Sequence, residues 1–427
     1  MEKDLNKEFK YRKIKRPNPL IAWLIQQAFR CISKGRKVHF DYQESFVPLK
    51  KKQVVYLCQH ASHDDYIYVL AGIKHLNAHF VCGFQNVFQK FLYTILKHSG
   101  VIAKFLYQPD MQATKQILQA CKNGGSLILF PEGIQSTSGS SHPINPATMK
   151  LLEKLKLPVV LVKIQGAYFT RTRYSTDIKK GKITVSFSKL FDQSDFENNT
   201  SDELYEKMLK EFKYDEFALN KVNRIAYKGK KPNIFGLNTI IYKCPHCLGE
   251  GVFSTDGDTM TCSNCGFKVR MDEYYDIHAE NMTLPFENTD IWYKWQREQI
   301  KKEILKDNFS ISTKVEIQII NTQKLDSDYS LKTMGEGKLT LTNKALVYEG
   351  SYDGQAVTMN FDVKSVYSLV MSLTYKMDLY YKNDYFSFTL KENKELMIKW
   401  MLAAEEIHNL YDLAWQKVSD EVYDVAQ

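Results

Sequence analysis

His60 and Asp65, five residues apart in Gln59-His60-Ala61-Ser62-His63-Asp64-Asp65, are the pair in this chain best suited to chemistry. Neutral imidazole can take the proton of an attacking hydroxyl and return one to a leaving thiolate near neutral pH. Moving an acyl group from a thioester to a hydroxyl requires both steps. His60 would be that base. Asp65, just past one helical turn, could hold the other ring nitrogen and stabilise the imidazolium, and no nucleophilic Ser or Cys is then required. The bare spacing is common, so it gains meaning only with a second segment, Phe130-Pro131-Glu132-Gly133-Ile134-Gln135-Ser136. There a proline and a glycine force a shaped loop. Backbone N–H groups in such a loop can bind anionic oxygens, and Glu132 can accept hydrogen bonds from substrate hydroxyls. His63 and Asp64 read as residues that cap or solvate a helix start, and Ser62 as a turn former.

A third group is Cys244-Pro245-His246-Cys247 with Cys262-Ser263-Asn264-Cys265-Gly266. Four thiolates at this spacing can close a tetrahedron around Zn²⁺, and four protein ligands leave no open position, so the metal would be structural. An iron centre uses the same ligands. His246 reads as a knuckle residue rather than a ligand. The other cysteines, Cys31, Cys58, Cys82 and Cys121, are scattered singly among apolar neighbours, which fits a reduced, cytoplasmic compartment and disfavours disulfides.

The elements that must position these groups follow from the hydrophobic pattern. Strands are expected over 53–58, 78–82, 126–130 and 159–164, and helices over 65–75, 84–97, 111–121 and 146–155. This alternation implies an α/β fold with a largely parallel sheet covered by helices. In such sheets functional residues collect beyond the carboxyl ends of strands, where both segments lie. From about Ser312 the character changes to β segments at 315–320, 338–342, 345–348, 357–361, 365–370, 378–381 and 385–390. An amphipathic helix over 394–411 follows them.

With 427 residues the chain should hold two or three domains, and 44% apolar with 13% aromatic residues excludes a disordered protein. The net charge of +9 suggests an anionic partner, whether a phospholipid surface, a nucleic acid or an acidic carrier protein. The first residues lack a secretory signal pattern, and no run approaches the length that crosses a bilayer. Basic residues from Lys10 to Arg16 run into Leu20 to Arg30, an amphipathic helix that suits a headgroup layer or, equally, a core.

The two loop segments carry a resemblance. His60, Ser62 and Asp65 match the His-x-Ser-x-x-Asp block, and Phe130 to Gly133 with Ser136 match the Phe-Pro-Glu-Gly-x-x-Ser block, of the glycerolipid acyltransferases that act on glycerol phosphate and lysophosphatidate. Leu157-Pro158-Val159 onward to Tyr168 is similar to the family's fourth block, so the likeness covers roughly residues 20 to 220. It implies His60 and Asp65 as catalytic residues and Glu132, Gly133 and Ser136 as acceptor-binding ones. It also implies acyl-CoA or acyl-carrier protein as donor. The chain departs from the family at Gln135, where an Arg usually helps bind acceptor phosphate, and in the second block, where Lys104 stands at a shifted position. Lys163, Arg171 and Arg173 are the basic residues that could replace the phosphate clamp.

The cysteine pattern resembles a zinc ribbon, and the late β segments with their helix resemble a pleckstrin-homology or GRAM-type domain, in which Trp400 and Ile407 would plug the barrel. The expected organisation is an acyltransferase domain over 1–235, a zinc ribbon over 240–272 and a helical linker over 273–310. A PH-like domain over 311–415 and a tail over 416–427 complete it. The expected function is transfer of a fatty acyl group to the hydroxyl of a lysophospholipid. The protein would sit peripherally on the inner face of a membrane, with membrane lipids as partners and no specific nucleic acid. The rival reading is a non-catalytic lipid- or nucleic-acid-binding scaffold using the ribbon and the β module.

Overall fold

The structure, a computed structural model, describes residues 5–90, 92–325 and 330–423. The chain divides into two compact units. The first takes Met1–Arg171, Lys180–Glu216 and Asn321–Ser330, and the second takes Thr172–Lys179, Phe217–Ile320 and Leu331–Gln427.

In the first unit α1 (Leu5–Lys10) and α2 (Pro19–Gly35) precede β1 (Val38–Tyr42). Then come β2 (Val55–Cys58), α3 (Asp65–Gly72), β3 (Ala78–Gly83), α4 (Tyr93–His98) and β4 (Ile102–Lys104). The unit continues with α5 (Met111–Lys122), β5 (Ser126–Leu129), α6 (Ala147–Leu155), β6 (Val159–Gln165) and α7 (Ala167–Thr170). It ends in β7 (Ile183–Phe191), α8 (Gln193–Asn198) and α9 (Ser201–Phe212). The strands form one sheet in the order β1-β7-β6-β2-β5-β3-β4. All pairings are parallel except β6 with β7, so the sheet is mixed. The central β2 and β5 are buried along their whole length, as strands covered on both faces must be. Leu57, Leu127, Leu129, Leu161, Met149 and Leu152 belong to the core beneath them.

The single antiparallel pair has a geometric consequence. β1 is parallel to β7 and therefore antiparallel to β6 and β2, so its first residues lie at the edge where β2 and β6 end. Val38 pairs with Ile183, next to Thr184 opposite Gln165, the last residue of β6. The C-terminus of α2 is thus delivered to the carboxyl edge of the central strands.

The expected helix over 84–97 is broken. A 3₁₀ turn spans Phe84–Val87 and α4 begins only at Tyr93, because Phe84, Val87, Phe88 and Tyr93 are all buried and one straight helix face could not bury them together. Helix α3 stops at Gly72, short of the expected His75. Helix α2 runs longer than expected and buries only Gln26 and Ser33 completely, leaving Leu20, Trp23 and Leu24 exposed. Among the described residues no helix is long and apolar enough to cross a membrane.

The second unit takes up the chain again within α10 (Glu216–Asn223), from Phe217 on. Strands β8 (Phe253–Asp256), β9 (Thr259–Cys262), β10 (Lys268–Met271) and β11 (Ile277–Ala279) form an antiparallel sheet around the cysteines. Within 273–310, the expected helical linker, α11 (Thr289–Ile304) buries Trp292, Tyr293, Gln296, Arg297, Ile300 and Ile304 along one helical stripe. Arg297 is bound by Glu405 at 2.5 Å and Glu406 at 2.6 Å. Lys243 and Lys399 alternate with Glu250 and Glu303 in a four-membered ring of ion pairs, 2.5–3.0 Å, that joins the cysteine sheet to two helices.

Strands β12 (Ser310–Ile320), β13 (Leu331–Thr342), β14 (Leu346–Tyr352), β15 (Gln355–Phe361), β16 (Val370–Leu373), β17 (Lys376–Tyr381) and β18 (Asp384–Leu390) make an antiparallel sheet in the order β15-β14-β13-β12-β18-β17-β16. Segment 365–370 is not the expected strand. A 3₁₀ turn at Val363–Ser365 leads into a loop in which Ser368 donates to Glu405. Helix α12 (Met397–Asn409) is buried nearly all round rather than amphipathic, with Trp400 and Ile407 inside. The expected tail is helical through α13 (Leu413–Tyr423), which buries Trp415 and Val418; residues 424–427 lie outside the described residues. The β12–β13 connection returns to the first unit, where Leu5 N–H donates to the Thr322 carbonyl and Ser330 Oγ to the Phe88 carbonyl.

Candidate active site

β2 and β5 are adjacent and parallel, with Leu57 opposite Leu129, so the two loop segments leave the sheet side by side. Three residues beyond that pair, the His60 N–H donates to Glu132 Oε1 at 2.8 Å. The Ser136 N–H donates to the His60 carbonyl at 2.7 Å. Both backbone polar groups of the histidine are therefore held by the Phe-Pro-Glu-Gly loop. The loop itself turns through Gly133, at φ +79°, whose N–H donates to the Phe130 carbonyl. A side chain there would be strained by the positive φ, although its Cβ would meet the Tyr107 ring only at contact distance, 3.4 Å.

His60 Nδ1 lies 3.0 Å from Asp65 Oδ2, and the same oxygen accepts the Ser62 N–H at 2.7 Å. The imidazole is 21% exposed and stands 4.7 Å from the Phe130 ring, while the Asp65 side chain has no exposure. Burial pushes the Asp65 carboxyl up, with the Asp64 charge adding to it and the backbone N–H groups of Ser62 and Ala61 opposing it.

Glu132 has a different place from the one expected of it. Its Oε1 binds His60 N–H, and its Oε2 binds His142 N–H at 2.7 Å and the Tyr214 hydroxyl at 3.4 Å. It is buried, and burial raises its carboxyl to about 8, against the pull of the two N–H donors. Its oxygens are engaged by protein, so its contribution is to fasten the two loops together. Ser136 is likewise internal: its hydroxyl donates to the Ser140 carbonyl at 2.6 Å and accepts the Gly139 N–H at 2.9 Å. Replacing Glu132 with Ala should strand the buried His60 and His142 donors at about 1–3 kcal/mol each. Thermal unfolding of Glu132→Ala should move down by several degrees, and activity should fall with it; an unshifted transition would contradict this role.

The basic residues divide. Lys104 Nζ donates to the carbonyls of Phe105 at 2.9 Å and Gln108 at 3.5 Å, and burial lowers its ammonium pKa. Lys163 meets Glu211 at 3.4 Å on the surface. Arg173 belongs to the second unit, where its guanidinium donates to the Met371 carbonyl. Arg171 stays in the first unit and pairs with Asp64 Oδ1 at 2.6 Å, and Gln135 reaches His63 at 3.3 Å. Asp64 precedes α3 but caps nothing with its side chain. Its second oxygen binds Arg36 at 2.6 Å, a residue that sequence reasoning missed because its only signal is the basic run Lys34, Arg36, Lys37 before β1. Tyr214, which reaches Glu132, gave no signal either.

In the second unit the four cysteine sulfurs lie within 4.8 Å of one another. Cys244 to Cys265 and Cys247 to Cys262 are each 3.7 Å apart. That is near the ~3.8 Å edge of a regular tetrahedron with ~2.3 Å metal–sulfur bonds, and far from a disulfide. His246 lies outside the cluster, its Nε2 2.9 Å from the Thr283 carbonyl.

Residues 37–165 match the family model described as Acyltransferase, a span that takes in both loop segments. Among solved structures the chain is similar to the 1-acyl-sn-glycerophosphate (LPA) acyltransferase PlsC from Thermotoga maritima, at 18% identity and a TM-score of 0.37. The match covers 44% of this chain and 75% of that one. A comparison with curated proteins finds no match. The match to the acyltransferase model is confined to 37–165, and beside it the chain carries antiparallel sheets and a four-cysteine cluster.

Proposed function

We propose that the chain transfers an acyl group from a thioester donor, acyl-CoA or acyl-carrier protein, to the hydroxyl of a lysophospholipid-like acceptor. The observation that carries this reading is the His60–Asp65 contact, fastened at both ends of the His60 backbone to the Phe-Pro-Glu-Gly loop. With Nδ1–H donated to Asp65, Nε2 is the proton acceptor. It takes the hydroxyl proton as the hydroxyl oxygen attacks the thioester carbonyl, and returns it to the thiolate as the tetrahedral intermediate collapses. Asp65 stabilises the imidazolium between the two steps. Incubating the purified protein with acyl-CoA and a panel of lysolipids and measuring product mass tests the reaction and its acceptor together; no acylated product from any member would refute it.

Four cysteine sulfurs in this arrangement fit Zn²⁺ bound structurally, through Cys244, Cys247, Cys262 and Cys265. The seven-stranded antiparallel sheet followed by α12 supports the PH/GRAM-like reading of 311–415, which would recruit lipid or protein.

The exposed face of α2 supports a peripheral seat on a membrane. Leu20, Trp23 and Leu24 are 64%, 47% and 52% exposed, on a helix that follows the basic Lys13, Lys15 and Arg16. Such a face can enter the headgroup layer. The double variant Trp23→Ser with Leu24→Glu should bind anionic phospholipid vesicles about 100-fold more weakly in sedimentation, from ~1.5 kcal/mol or more per side chain. Equal binding by both proteins would exclude α2 as the contact.

A further inference from the structure

Asp64 is flanked by two arginines drawn from distant parts of the first unit. Arg36 Nη1 donates to Asp64 Oδ2 at 2.6 Å and to the Tyr68 hydroxyl at 2.7 Å. Arg171 Nη1 donates to Asp64 Oδ1 at 2.6 Å. The carboxylate is 3% exposed, whereas the two arginine side chains are 25% and 31% exposed. One buried carboxylate thus anchors two guanidiniums, leaving a net single positive charge. Each arginine makes these contacts through Nη1 alone, and each side chain keeps part of its surface open to solvent.

The cluster is built into the edge that carries His60. Asp64 adjoins Asp65, which holds the imidazole, and Ser62 Oγ donates to the Arg171 carbonyl at 3.5 Å. The reversed direction of β1 brings Arg36 to this edge, and β6 with α7 brings Arg171. Two forks held by a common anchor match the oxygens of a phosphoryl group better than a single flexible lysine would.

We propose that Arg36 and Arg171, oriented by Asp64, bind a substrate phosphoryl group beside the His60 site, a role that rests on the acyl-transfer reading above. The phosphoryl group is that of the acceptor or of the donor, and kinetics with two acceptors and two donors separates these sources. The acceptors are lysophosphatidate and the neutral monoacylglycerol of the same chain; the donors are acyl-CoA and the acyl thioester of unphosphorylated pantetheine. For an acceptor site, Arg36→Gln and Arg171→Gln should each reduce the lysophosphatidate-to-monoacylglycerol ratio of kcat/KM about 10- to 100-fold, mainly through KM. Arg36→Lys should restore part of it. For a donor site the same loss should appear in the acyl-CoA-to-acyl-pantetheine ratio instead. Should both ratios stay put, whether activity holds or falls uniformly, the arginines are structural and the proposal is overturned. If the wild-type protein acylates nothing, the reaction reading fails by itself. Titration calorimetry with glycerol 3-phosphate and with CoA then decides the anion site: weaker binding of either by Arg36→Gln sustains it, and equal or absent binding of both ends it.

Discussion

His60→Ala should lower acyl transfer about 10²- to 10⁴-fold while the protein unfolds at nearly its original temperature. The two halves of this expectation have separate causes. The imidazole is the only part of His60 that the chemistry uses, and it is partly exposed, so its removal opens no deep cavity. The backbone contacts of residue 60, its N–H to Glu132 and its carbonyl from Ser136, survive the substitution and keep the two loops together. Asp65→Asn tests the same pair from the other side. An amide cannot accept the Ser62 N–H and steady the imidazolium as a carboxylate does, so kcat should fall well over tenfold with little change in acceptor KM. A purified His60→Ala protein retaining more than a tenth of wild-type activity would remove His60 from the mechanism.

Metal removal should have the largest effect on the second unit. If the four sulfurs hold Zn²⁺, elemental analysis should find one zinc per chain, and a strong chelator should unfold the cysteine sheet, because structural zinc contributes about 10–16 kcal/mol of apparent binding energy. The loss should spread beyond the sheet. Trp292 of α11 is fully buried, with the rings of Phe253, Phe267 and Phe286 5.4–6.1 Å away. Two of these partners, Phe253 in β8 and Phe267 beside the second cysteine pair, would leave it when the sheet opens. Chelation should therefore shift tryptophan emission to the red and abolish part of the thermal transition, with the spectral change much reduced in Trp292→Phe. Cys262→Ser should mimic the chelated protein. An emission spectrum unmoved by chelation in a protein shown to have lost its metal would refute this coupling.

The sequence disclosed what local chemistry determines. Runs such as Val55 to Cys58 and Val159 to Val162 are apolar on both faces and could only be central strands, and the loop residues after them stood out by type. The paired cysteines needed only their spacing. What escaped was set by tertiary arrangement. Glu132 looked like a substrate ligand because a carboxylate in a turn is usually exposed; only the parallel pairing of β2 with β5 shows that its oxygens face the His60 and His142 N–H groups. Asp64 looked like a helix cap, and its true partners lie 28 and 107 residues away. The stretch 84–97 has helical periodicity, yet its aromatics are buried by separate turns. In α12 the burial of Glu405 and Glu406 depends on Arg297 from another helix, which no pattern within 394–411 encodes.

The hydrogen bonds that fix residue 60 at its amide and its carbonyl also bear on timing. The amide protons of His60 and Ser136 are both donated across the gap between the two loops, so exchange with solvent at either requires the loops to part. The two should share one opening event and one protection factor. The imidazole then cannot drift from register on its own: the site is lost and regained as a unit, on the clock of the sheet edge rather than of a single side chain.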